Sequence, residues 1–147
     1  MSIDVKLSQE QFGEKNETDF YNILKQNGIV NITQTDKYCY YDYKIKLGNK
    51  IIYIELKTRK ISKEQYDTTI LALNKVNFFN DIPKRNKLFY AVFGFITEKK
   101  QMEYYYIKYD EDLFNSYQRQ VIFNKEHFKI PITDLTEISK LYYELGT

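Results

Sequence analysis

A chain of 147 residues is long enough to bury a sizeable core and fits one compact domain spanning 1–147. Its content of 43% hydrophobic and 29% charged residues is a globular balance that excludes wholesale disorder, and 22 basic against 20 acidic residues leave a net charge of +2, so any basic footprint must be local. One cysteine, Cys39, excludes a disulfide framework, and one histidine, His127, excludes a multi-imidazole zinc site, so a bound metal would have to be held by carboxylates.

No apolar run approaches the roughly 18 residues of a membrane span. The N-terminal stretch MSIDVKLSQEQ has no apolar core of the kind a signal peptide carries. The chain therefore reads as soluble, cytoplasmic and without a membrane partner.

In chain order, Ser8 to Asn27 sets Phe12, Phe20, Ile23 and Leu24 among charged residues and ends at Gly28, which predicts one amphipathic helix, starting at Ser8 or after Gly13. From Ile29 to Lys57 the residues become β-branched and aromatic, broken at Gly48-Asn49, which predicts strands joined by a hairpin. Ser62 to Asn80 spaces Tyr66, Ile70, Leu73 and Val76 as a second helix would, with Ser62 as its N-cap. Beyond Pro83, KLFYAVFGFI and MEYYYIKYD predict two strands joined through TEKKQ, followed by a short strand or two and a last helix from about Thr133. The order of helices and strands predicts an α/β or α+β fold with at least one sheet face covered.

The hairpin places the chemistry. A two-residue loop at Gly48-Asn49 sets Leu47 opposite Lys50, and each antiparallel pair going outward keeps the same residue-number sum. Tyr43 then faces Ile54, Ile45 faces Ile52, and Asp42 faces Glu55, with Cβ atoms about 5 Å apart. Alternation also puts Tyr53, Glu55 and Lys57 on one face of their strand and Ile52, Ile54 and Leu56 on the other. Two carboxylates directly opposite repel, and a hard divalent cation such as Mg²⁺ relieves that repulsion through oxygen ligation. Lys57, one pleat beyond Glu55, is suited to orient a water or offset charge on a phosphorane-like transition state, which are the parts of metal-assisted phosphodiester hydrolysis.

Asp42 followed thirteen residues later by Glu55-Leu56-Lys57, at the end of a hydrophobic strand behind an N-terminal helix, resembles the PD-(D/E)xK nuclease superfamily with its restriction-endonuclease-like fold. The resemblance runs from about Gly13 to Phe79. It implies an αβββαβ core with a mixed central sheet flanked by helices. It also implies a DNA endonuclease acting on branched or otherwise structured DNA, in which Asp42 and Glu55 bind Mg²⁺ or Mn²⁺ and Lys57 assists the attacking water. A glutamate on the first helix serves many members as a further ligand or support, which points to Glu17, with Glu14 in reserve. The spacing Gly13-x-x-x-Glu17 is similar to that of archaeal Holliday-junction resolvases. Gln65 is similar to the glutamine that follows the core motif in exonuclease-like members, while Tyr41 stands where the family has proline. The family further implies a homodimer, since cutting two strands commonly takes two sites.

Several residues also have plain structural readings. Ser62-x-x-Gln65 spells a capping box. The Tyr-rich segments suit sheet packing at least as well as base stacking, and Glu17 on an outer helix face needs no function. The basic residues Arg59, Lys60 and Lys63 near the acidic pair are candidates to grip a phosphate backbone, with Lys84, Arg85 and Lys87 as a more distant cluster. His127 is assigned no role. The competing functional reading is an idle nucleic-acid-binding or protein-interaction module on the same fold.

Overall fold

The computed structural model describes residues 8–35 and 39–146. The signal-peptide reading of residues 1–7 and the middle of the first strand region, residues 36–38, lie outside the described residues. The first helix, α1 (Gln9–Gln26), starts at Ser8, where the Ser8 hydroxyl and the Gln11 side chain cap each other's backbone N–H groups. It ends where Gly28 takes φ 86, with Ile29 N–H donating to Leu24 O and Gly28 N–H to Lys25 O, a paired 6→1 and 5→2 closure that glycine accommodates without strain.

Three strands follow: β1 (Ile32–Gln34), β2 (Tyr43–Leu47) and β3 (Lys50–Thr58). The β2–β3 register pairs Leu47 with Lys50, Ile45 with Ile52 and Tyr43 with Ile54, as the hairpin count predicts, and Gly48 at φ 62 makes the turn. The expected second helix over 62–80 is replaced in its first half. Residues Lys63–Gln65 form a single 3-10 turn with no side-chain cap at Ser62, and the β-branched run after it becomes β4 (Thr68–Ala72). Its alternating burial matches a strand, and stiff Thr68, Thr69 and Ile70 favour the pleated backbone over a helix. Helix α2 covers only Leu73–Asp81.

Strands β5 (Lys87–Ile96) and β6 (Met102–Lys108) form the expected second hairpin. A short helix, α3 (Glu111–Asn115), which the sequence pattern did not suggest, is capped by Asp110, whose side chain accepts from Leu113 N–H at 2.9 Å. Then come β7 (Arg119–Ile122), β8 (Lys125–Pro131), the two-residue β9 (Thr136–Glu137) and α4 (Ser139–Gly146). The last helix thus begins six residues later than expected, because a 3-10 turn over Ile132–Asp134 and β9 occupy the intervening chain.

The central sheet has the order β1-β2-β3-β5-β6-β9, parallel only between β3 and β5, and a smaller sheet has the order β4-β8-β7. Leaving the small sheet aside, the chain runs α1, β1, β2, β3, α2, β5, which is the expected αβββαβ order on a mixed sheet. Each face of the central sheet has its own core. Phe20 and Leu24 of α1 and Leu141 and Leu145 of α4 pack on Ile52, Ile54 and Leu56. On the opposite face Val76 and Phe79 of α2, with Leu71, Phe128 and Ile130 of the small sheet, pack on Phe89, Ala91, Phe93 and Phe95. No helix among the described residues is long and apolar enough to cross a membrane.

Candidate active site

Strand β3 lies between β2 and β5 and is covered on both faces, so Glu55 is not on a solvated face: it is only 3% exposed. Burying a lone carboxylate costs several kcal/mol, roughly, unless partners offset it. The hairpin supplies the first partner. Asp42 sits one residue before β2, its N–H donating to Ile54 O at 3.0 Å and its Oδ2 accepting from Leu56 N–H at 2.7 Å, so its backbone and side chain bracket Glu55. The two carboxyls lie close enough to shift each other's proton affinity.

Glu17 joins them from α1. The Tyr43 hydroxyl, one residue beyond Asp42, donates to the Glu17 carbonyl and docks that turn of the helix on β2. The Glu17 carboxyl then comes within reach of Asp42. Glu14, three residues earlier, is exposed and acts on this site only through its charge. Lys57 is half-buried and close enough to favour the ionised form of both Glu17 and Glu55.

Burial raises the proton affinity of all three acids. Glu55 is pushed up to about 8, first by burial, then by the charge of Asp42 and the hydrogen bond to it, with Lys57 and Lys75 opposing the shift. Asp42 and Glu17 are also raised, each chiefly by burial. Burial and mutual repulsion thus both favour the protonated forms of this set.

A cleft of about 290 Å³ is lined by Gln9, Gly13, Glu17, Leu56, Lys57, Thr58 and Arg59, so that Glu17 is the acid of the three that faces it. Gly13 has nothing within 4 Å of where a Cβ would stand, so the cleft wall is open there. Arg59 is largely desolvated, which lowers its proton affinity, and one of its nitrogens donates to Ile70 O at 3.0 Å. The remaining expected residues lie further out. Lys60 rests over the Phe12 ring and Lys63 over the Tyr105 ring, at 5.3 and 4.3 Å from the centroids. Gln65 is exposed on its 3-10 turn; the capping box predicted for Ser62 and Gln65 does not form, because the helix it would cap starts at Leu73.

The sequence reading missed Lys75. Its Nζ lies 2.7 Å from Glu55 Oε2 and donates to Tyr40 O at 2.7 Å. Nothing in the local pattern marks it, since it belongs to a helix whose face toward β3 is set by the packing of the small sheet. The contact compensates charge without aligning a hydrogen bond, because Oε2 has no hydrogen-bond donor among the described residues. Ala91, beside Glu55 across the parallel ladder, is the one small residue in the row Phe89, Ala91, Phe93, Phe95 and leaves this side chain room.

These features fit a divalent cation. A buried carboxylate oxygen lacks a directional partner, the acids are oxygen donors of the hard class, and their protons are those a cation would displace. Among the described residues no three Asp, Glu, His or Cys side chains are already gathered to enclose an ion, which suits a Mg²⁺-type site completed by water and phosphate oxygens around one or two carboxylates.

Neither a protein-family model nor a curated protein sequence matches this chain. Among solved structures it is similar to Hjc, a Holliday junction resolvase from the archaeal hyperthermophile Archaeoglobus fulgidus, at 16% identity and TM-score 0.59, covering 89% of this chain and 95% of that one. It is also similar to D212, a nuclease from a fusselovirus, at 16% identity and TM-score 0.52, covering 99% of this chain and 95% of that one. The chain therefore has the restriction-endonuclease-like fold expected from its acidic hairpin, with Hjc and D212 as structural neighbours.

Proposed function

We propose that this chain is a single-domain endonuclease that hydrolyses phosphodiester bonds in branched or otherwise structured DNA with Mg²⁺ or Mn²⁺ as cofactor. The observation that carries the reading is that Glu17, Asp42 and Glu55 stand close enough to perturb one another's proton affinity, with Lys57 beside them and Glu17 and Lys57 lining a cleft on this fold. A resolvase and a nuclease as structural neighbours support it.

Asp42 and Glu55 would hold the cation, which when bound supplies Lewis acidity toward the phosphate and its attacking water. Glu17 supports Asp42 from the helix side through the contact of their carboxyls. Lys57 points an ammonium at the same place, where it orients the water and offsets charge on the non-bridging oxygens. Arg59 offers the cleft its remaining N–H donors, and Lys60 and Lys63 extend the basic edge for flanking phosphates. A homodimer presenting two such sites to two strands belongs to the same proposal.

The test incubates the protein with plasmid, linear duplex, single-stranded and four-way-junction DNA in Mg²⁺ or Mn²⁺. Cleavage is expected to fall about a thousandfold or more in Asp42→Ala, the scale of losing the ion's several kcal/mol of charge stabilisation. Equal activity in that variant, or none in either protein on any substrate, overturns the reading. One observation favours an idle DNA-binding module instead: an ammonium of the chain already lies against Glu55. Calorimetry showing no heat with Mn²⁺, together with salt-sensitive DNA binding, would establish that alternative.

A further inference from the structure

Helix α2 is fastened to the acid-bearing hairpin by more than apolar packing. The Tyr41 hydroxyl donates to Lys75 O at 2.9 Å, and the Lys75 ammonium donates to Tyr40 O at 2.7 Å, so Lys75 ties down the segment just before Asp42 through both its main chain and its side chain. Tyr40 stacks on Phe78, one turn along α2, with centroids 4.1 Å apart and planes 7° from parallel. The same ammonium reaches Glu55 Oε2 at 2.7 Å with its side chain only 19% exposed. One half-buried cation therefore touches both segments that carry the acids. Its contact with Oε2 is an ion pair without hydrogen-bond alignment, whereas its bond to Tyr40 O is aligned.

We propose that Lys75 is a positioning residue that serves as the site's resident counter-ion: it holds Glu55 and the Tyr40–Asp42 segment together in the metal-free protein, and yields Oε2 to the divalent cation while keeping its hold on the Tyr40 carbonyl. The proposal rests on the metal-dependent reading above, and it accounts for a lysine where a helix facing an apolar sheet would ordinarily carry an aliphatic side chain. It separates two cationic roles around Glu55, with Lys57 on the cleft side for the reaction and Lys75 on the helix side for assembly.

The test has two arms. In EDTA at pH 8.5, Lys75→Met is expected to lower the melting temperature by about 5–10 °C, because the removed ammonium leaves the buried Oε2 of Glu55 without its ion-pair partner. Adding Glu55→Gln to that variant is expected to restore most of the loss, a non-additivity that only a direct pair produces. Calorimetric titration with Mn²⁺ should then show binding about tenfold tighter in Lys75→Met than in the wild type, with Lys75→Arg close to wild type. Additive melting effects overturn the counter-ion role. Coupled melting effects with unchanged or weaker Mn²⁺ binding in Lys75→Met overturn the hand-over. A wild type that binds no Mn²⁺ overturns the hand-over and the metal-dependent reading together, while the melting arm still decides whether Lys75 is the counter-ion.

Discussion

The two sides of Glu55 are built to different purposes. Toward α1 the acids open on a cleft with Glu17, Lys57 and Arg59 at its edge and the bare backbone of Gly13 in its wall. Toward α2 they are closed in by Lys75, the buried Tyr41 and the aromatic core behind it. A buried acid pair can be reached by substrate from only one side if the other is to hold it in place. The open side is therefore where reaction is expected, and the closed side is where the geometry is maintained.

The largest effect expected to expose this difference comes from Lys57→Met. If the open side performs the reaction, cleavage at saturating DNA falls about a hundredfold, the usual contribution of a positioned proton-handling group. Mn²⁺ affinity and melting temperature should hardly change. A variant that cuts normally but melts early would reverse the assignment of the two sides.

A smaller effect concerns pH. Glu55 has a folded-state value of about 8 against its ordinary 4.5, and Asp42 and Glu17 shift the same way. Between those values the folded protein binds more protons than the unfolded chain, so the stability from Glu55 is full below about 4.5 and is lost as pH rises through 8. Without metal, denaturant midpoints should fall from pH 5 to pH 8.5, and Glu55→Gln should flatten the slope. A midpoint that climbs over this range would contradict the buried acid set.

The smallest effect lies on α1. Asn16 is 1% exposed, and neither its amide nitrogen nor its oxygen has a hydrogen-bond partner among the described residues. Replacing unsatisfied polar atoms with an apolar side chain of similar shape removes a desolvation cost, so Asn16→Leu should raise stability by about 1 kcal/mol in urea titration. If cleavage also drops, Asn16 serves Glu17, its neighbour in the helix, and belongs with the open side.

How much of this was legible in the sequence follows the same division. The register from Leu47–Lys50 to Tyr43–Ile54 is local, fixed by a two-residue turn, and was readable from the residue count; Asp42 lies one residue beyond the paired stretch, its N–H on Ile54 O and its Oδ2 on Leu56 N–H, and reaches Glu55 through its side chain. The helix from Ser8 with its Gly28 stop was equally readable, because caps are short-range signals. The closed side was not. Residues 66–72 carry helix-like apolar spacing, yet they become β4 because β8, whose residues Lys125–Pro131 lie over fifty positions away, offers a strand to pair with. Once β4 takes those residues, α2 shortens, and only its packing against the small sheet decides that Lys75 meets Glu55. Glu17 sits between the two cases: its helix was readable, but its approach to Asp42 depends on the Tyr43 hydroxyl across the layer.

The strand KLFYAVFGFI, β5, has a consequence for survival in solution. Beyond Lys87 it is an uncharged, largely aromatic and aliphatic run without proline, the kind of segment that seeds cross-β stacking when exposed. In the fold it is shielded in depth, paired on one side with β3 and on the other with β6. The outermost strands of that sheet are the three-residue β1 and the two-residue β9, too short to template much further pairing. The enzyme-like site and the aggregation hazard thus share one wall, since β3 both carries Glu55 and covers β5. Any change that loosens β3 to gain reach at the cleft also uncovers the stickiest segment of the chain.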